Sequence, residues 1–201
     1  MSLVQSKLKN DLLAAFQSMT DGDDRVFAEK VSKAVADYAH SGIVSTVDAG
    51  SIPAGTFTGK GTGSITVQSS ICEDILLAAC EAMTKMTAGG DTYLAAQMAS
   101  GIHAMISAGE IKTSVTGTVI PPSGGSSPMN GQANGKMTGV PAPIQTGLIA
   151  AFTAMGSMTK KGDEYFAEQA ATLITSYLKS AMITTNGTAT IAGSTGSGAM
   201  S

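Results

Sequence analysis

Residues 58–64 read TGKGTGS, and the fold class turns on what that stretch is. A phosphate-binding loop needs a buried strand, the spacing G-x-x-x-x-G-K-[ST], and a helix whose N-terminus faces the phosphate. Here Gly55 stands one residue too close to Gly59. Gly61 follows Lys60, so no hydroxyl is placed for magnesium. The next helical pattern begins only near Ile71. TGKGTGS is therefore read as a glycine-rich turn or arm, and nucleotide binding is set aside.

The stretch belongs to one of three similar tails. They read STVDAGSIPAGTFTGKGTGSITV from Ser45, KTSVTGTVIPPSGGSSPMNGQANGKMTG from Lys112, and TTNGTATIAGSTGSGAMS from Thr184. Thr, Val and Ile alternate briefly between Gly and Pro, which predicts short strands joined by turns, or extended arms. Pro121 and Pro122 forbid helix locally and disfavour a central strand.

Each tail follows a helical pattern that also occurs three times. First segments begin LLAAFQSM at Leu12, LLAACEAM at Leu76 and LIAAFTAM at Leu148, and end at Met19, Met83 and Met155. Glycine-containing links lead to second segments, in which Phe27, Leu94 and Phe166 each precede Val44, Ile111 and Ile183 by 17 residues. Phe27, Val31, Ala34, Val35 and Tyr38 recur at helical spacing and keep one face apolar. Leu94, Met98, Gly101, Ile102 and Met105 do so in the second copy, and Phe166, Ala170, Leu173, Ile174 and Tyr177 in the third. Asp24, Asp91 and Asp163 suit N-cap or first-turn positions. The chain is thus read as three repeats, 1–68, 69–141 and 142–201, each a helical hairpin with a tail. The repeat core is expected at Leu12, Phe16, Met19, Phe27, Val31, Val35, Tyr38, Leu76, Met83, Leu94, Met98, Ile102, Met105, Leu148, Phe152, Met155, Phe166, Leu173, Ile174 and Tyr177. The fold class this implies is mainly α with β or extended arms, three antiparallel helical hairpins forming a six-helix bundle with internal threefold symmetry or a short array. Hairpins that cannot bury an apolar face alone can bury it against one another.

Composition excludes several function classes. Hydrophobic residues make up 43%, enough for a sizeable core, and charged residues only 13%, about half the usual quarter. Net charge is −3, and no Lys/Arg stripe is available to neutralise phosphates or an anionic bilayer, so neither nucleic acid nor membrane is an expected partner. The N-terminal apolar stretch is too short and interrupted for a signal peptide, and no apolar run approaches the ~18 residues of a membrane span. A soluble chain made in a cytoplasm is expected. Cys72 and Cys80 lie eight residues apart in one predicted helix. At ~1.5 Å rise per residue they are roughly 12 Å apart, beyond the ~7 Å that a disulfide spans. Both are read as core or boundary residues.

No motif for chemistry emerges. His40 and His103 fall at non-equivalent repeat positions, and no G-x-S-x-G elbow accompanies them. DGDD at 21–24 lacks the ligand spacing of a calcium loop and reads as a turn and helix start. NGT at 186–188 matches a glycosylation acceptor but has no secretory signal beside it. The methionines fill apolar helix faces. No catalytic residue, cofactor or metal ligand is expected.

The second segments carry a resemblance. The phrase F-A-[+/E]-x-[LVA]-[AST]-x-[AL]-[IV]-x-x-Y, then a small-residue link into V-x-T, is similar to virion structural proteins of tailed bacteriophages and prophages. It stands at Phe27–Tyr38 and Phe166–Tyr177, and in degraded form at Leu94–Met105. The resemblance implies a non-enzymatic neck, tail, baseplate or capsid-decorating protein, present in multiple copies in a virion assembled in a bacterial cytoplasm. Its partners would be other virion proteins, bound through the tails 45–68, 112–141 and 184–201 by strand addition to a neighbour's sheet. The alternative is a cellular helical-repeat module that binds a protein or peptide.

Overall fold

The computed structural model describes residues 3–19, 23–52, 55–189 and 192–200. Each repeat contributes two helices and two strands. The first holds α1 (Gln5–Ser18), α2 (Asp24–Ser41), β1 (Val44–Ile52) and β2 (Gly55–Thr66). The second holds α3 (Ser69–Met83), α4 (Gly90–Ala108), β3 (Glu110–Ile120) and β4 (Ser127–Thr138). The third holds α5 (Ala142–Gly156), α6 (Gly162–Ser180), β5 (Met182–Ala189) and β6 (Ala192–Met200).

The expected mainly α class is corrected, because the tails are not arms. All six strands pair antiparallel in chain order, and β6 pairs back onto β1, closing a barrel. Each tail is a hairpin, but β2 pairs with β3, β4 with β5 and β6 with β1, so no repeat completes its own sheet. The physical reason is the edge. A lone two-stranded hairpin is marginal in water and offers unpaired backbone groups on both sides. Three hairpins that pair with one another satisfy most of them. Among the described residues every strand has a neighbour on both sides, which leaves little edge for the strand addition that extended tails imply.

A six-stranded barrel is narrow, and its sequence meets that constraint with glycine. Val44, Ile65, Ile111, Met137, Ile183 and Met200 form the layer nearest the helices, all buried. One step farther in, Thr46 pairs with Gly61 and Gly198, Thr113 with Gly63 and Ala133, and Thr185 with Gly135 and Gly196. Phe57, Val115, Val119 and Ala133 form a second apolar cluster toward the other end, with Met129 packed against it. A Cβ at Gly63 would overlap the Lys112 carbonyl oxygen and stand 2.7 Å from the Thr113 Cα. TGKGTGS is thus the middle of β2: its glycines face inward and Lys60 points to solvent.

The helices follow one another around a ring that α1 closes against α6. The second helices lie deeper: α2, α4 and α6 bury nine, eight and eight residues, whereas α1, α3 and α5 bury four each. Phe16 lies 5.7 Å from Phe27 and 4.7 Å from Phe166, and Phe152 lies 4.0 Å from Phe166, between ring centroids. Aromatic pairs in this range add to the area that they bury. This aromatic group, Leu94, and the first barrel layer belong to one continuous core.

Two of the three interfaces between repeats carry an equivalent bond, with one substitution. Tyr38 OH bonds Thr175 Oγ1 at 2.7 Å, and Tyr177 OH bonds His103 Nδ1 at 2.8 Å. Tyr38 and Tyr177 share one repeat position, and Thr175 and His103 share another. In the remaining interface the corresponding residues are Met105 and Ala36, which are apolar. Helix starts vary more. Asp23, not Asp24, caps α2 by accepting from the backbone N–H groups of Arg25 and Val26, while Asp24, Asp91 and Asp163 lie in first turns. The caps of α4 and α6 are Gly89 and Lys161, both left-handed, with φ of 75° and 61°.

Candidate functional site

The expected core residues divide by depth. Leu12, Phe16, Phe27, Val31, Val35, Tyr38, Leu76, Leu94, Met98, Ile102, Met105, Leu148, Phe152, Phe166, Ile174 and Tyr177 are buried. Met83, Met155 and Leu173 are half-buried at the margin of the core. Met19 is exposed, a correction that follows from its place as the C-cap of α1, beyond the packed turns.

The histidines serve as hydrogen-bond partners within the fold. His40 Nε2 accepts the Val67 backbone N–H at 3.0 Å, which ties the end of α2 to the chain leaving β2. His103 carries the Tyr177 bond described above. Cys72 and Cys80 are free thiols inside the helical body, and burial pushes both up to about 11. A thiol held protonated at neutral pH is a poor nucleophile. Burial likewise raises Tyr38 and Tyr177 above the ordinary phenol value. Among the described residues, no three His, Cys, Asp or Glu side chains come together as a metal would require. No described helix is long and apolar enough to cross a membrane. Of DGDD, residues 21 and 22 lie outside the described residues.

The repeat instead builds three equivalent grooves at the junction of helices and barrel. In each, the start of the first helix meets the end of the second helix, and in the second and third grooves the adjoining strands join them. The first, about 460 Å³, is lined by Val4, Leu8 and Tyr38, and by the charged Lys7, Asp11 and Asp37. Lys7 is paired with Asp11, and Lys33 with Asp37, so these charges are locally matched. The second, about 280 Å³, is the most polar, with Gln68 and Glu110 at its rim. The third, about 520 Å³, is lined by Val140, Pro143, Ile144, Leu173, Tyr177 and Met182.

The third groove leaves two large apolar side chains in water, where the first leaves one, Val4, at 51% exposed. Val140 is 68% exposed and Met182 is 67% exposed. Met182 is paired with Thr138 on β4, two residues before Val140, so the two side chains rim one patch. Repeat 1 carries Val4 and the half-buried Ile43 at the same repeat positions, and repeat 2 carries Gln68 and Glu110. Single exposed apolar residues are ordinary, whereas two large ones beside an apolar groove suit a contact with another macromolecule. Neither was singled out in the sequence, where repeat 1 is apolar and repeat 2 polar at these positions. Comparison with protein-family models, with curated proteins and with solved structures finds no match.

Proposed function

We propose that the chain is a non-enzymatic structural component of a tailed-phage virion, in the neck, tail, baseplate or capsid decoration. In this reading it is present in several copies and contacts neighbouring virion proteins through the third junction groove. The resemblance of the Phe27–Tyr38 and Phe166–Tyr177 phrases supports the virion assignment. The exposed Val140–Met182 rim supports the mode of contact, and it is the observation that carries the reading. The internal threefold is consistent with it, because one chain then offers three related faces to a threefold or sixfold environment.

The test uses particles purified from the phage or lysogen that encodes the chain. Mass spectrometry should find the chain in them at several copies. Val140→Glu with Met182→Glu should abolish incorporation while the far-ultraviolet circular dichroism of the purified chain stays unchanged. Particles without the chain, or undiminished incorporation of the double variant, would refute the proposal. Deletion of 184–201 is a poorer probe, since it removes β6 and most of β5 and opens the barrel.

A further inference from the structure

The barrel interior holds a carboxyl group that the threefold pattern does not explain. Thr46, Thr113 and Thr185 occupy the same place in the three repeats. Two residues on, the second repeat has Val115 and the third Gly187, but the first has Asp48, which is 2% exposed. Thr46 Oγ1 donates to Asp48 Oδ2 at 2.8 Å, and Thr185 Oγ1 donates to Asp48 Oδ1 at 3.3 Å. Among the described residues no Lys, Arg or His forms an ion pair with this carboxylate. Lys60, on the neighbouring strand, faces outward and is exposed. A carboxylate with no counter-charge is costly to enclose in a low-dielectric interior.

The surroundings supply oxygen. A Cβ at Gly61 would overlap Thr46 Oγ1, and would lie 3.0 Å from Asp48 Oδ2 and 3.3 Å from Thr113 Oγ1. The Thr46 hydroxyl thus takes the place that a side chain on Gly61 would fill, with oxygens of Asp48 and Thr113 beside it and Thr185 of β5 on the other carboxylate oxygen. A threonine hydroxyl has one proton to donate and two lone pairs, so it can bond the carboxylate and still face a cation. Apolar layers lie on both sides of this one.

We propose that this layer binds a dehydrated monovalent cation of sodium size, with Asp48 as the anionic ligand and Thr46 and Thr113 as neutral ones. Hydroxyl and carboxylate oxygens are hard ligands that suit hard cations. A single charge balances a single carboxylate, whereas a divalent ion would leave a net positive charge enclosed.

The test is thermal unfolding of the full chain in sodium chloride against choline chloride at equal ionic strength, with a calcium chloride arm. Sodium should raise the midpoint, saturably, by roughly 5–10 °C at a hundredfold excess over its dissociation constant. Asp48→Asn should lose that rise. Thr113→Val should move half-saturation to higher sodium and would serve if Asp48→Asn did not fold. Equal midpoints in sodium and choline, an undiminished rise in Asp48→Asn, or a larger effect of calcium than of sodium would each overturn the proposal.

Discussion

Replacing Gly63 with alanine should damage the whole molecule, although it adds one methyl group. Gly63 faces inward on β2, between Val44 on β1 and Thr113 on β3. The new Cβ would stand 2.7 Å from both the Lys112 carbonyl carbon and the Thr113 Cα, and would overlap the carbonyl oxygen. Real Cβ atoms essentially never come within 3.0 Å of other heavy atoms, and these neighbours are backbone, which cannot rotate away. Strands β2 and β3 must therefore separate locally. Overpacking of this kind costs about 1–3 kcal/mol. Loosening one or two ladder hydrogen bonds adds about 0.5–1.5 kcal/mol each. The expected loss is about 3–5 kcal/mol, a large share of the roughly 5–15 kcal/mol that holds a domain folded. Urea unfolding followed by far-ultraviolet circular dichroism and tyrosine fluorescence measures it, since the chain has no tryptophan. With a slope near 2 kcal/mol/M, the midpoint should fall by about 2 M. Gly156→Ala is the control, because a Cβ there meets nothing within 4 Å. It lies at the end of α5 and should be neutral or stabilising by up to about 1 kcal/mol. If Gly63→Ala unfolds within about 0.5 kcal/mol of the parent, inward glycines are not what lets six strands close, and the account of the barrel fails.

Four further outcomes follow from the same structure. Lys161→Gly should raise stability by up to about 1 kcal/mol in the same urea assay, because Lys161 holds a left-handed φ where repeat 2 has Gly89. Phe166→Ala should cost about 3–5 kcal/mol, since Phe166 is buried and touches both Phe16 and Phe152. With Cys72 and Cys80 raised from 9.0 to about 11, the folded chain keeps protons that the unfolded chain releases first. Their contribution to stability is therefore complete below pH 9 and lost as pH rises to about 11, so the thermal midpoint should fall across that window. At pH 8 a thiol reagent should label neither cysteine until the chain unfolds.

The helices are legible in the sequence because their interior faces carry bulky apolar residues at helical spacing, from Phe27 to Tyr38 and again from Phe166 to Tyr177. The barrel is far less so. A half-buried strand normally announces itself by alternating apolar and polar residues. In β2 the inward positions between Phe57 and Ile65 are Gly59, Gly61 and Gly63, while the outward ones are Thr58, Lys60, Thr62 and Ser64. The space that would hold core side chains is taken up by the opposite wall, so the alternation is Gly with Thr and carries little hydropathy signal. Closure itself joins Val44 to Met200, a pairing that no local pattern encodes. The grooves were hidden for a related reason. Val140 and Met182 stand in different segments of the sequence, and only the β4–β5 register brings them to one rim.

The pairing of β1 with β6 also sets a schedule for biosynthesis. A ribosome that has just released Ile52 must add about 150 further residues before Met200 can complete the wall beside Val44. At 5–20 residues per second that interval is roughly 7–30 s. During it the nascent product carries an unsatisfied strand at its own beginning, open to any neighbouring polypeptide on the same messenger. Chains released early, short of the final nine-residue strand, would keep that open side permanently and should be found with chaperones or in inclusion bodies.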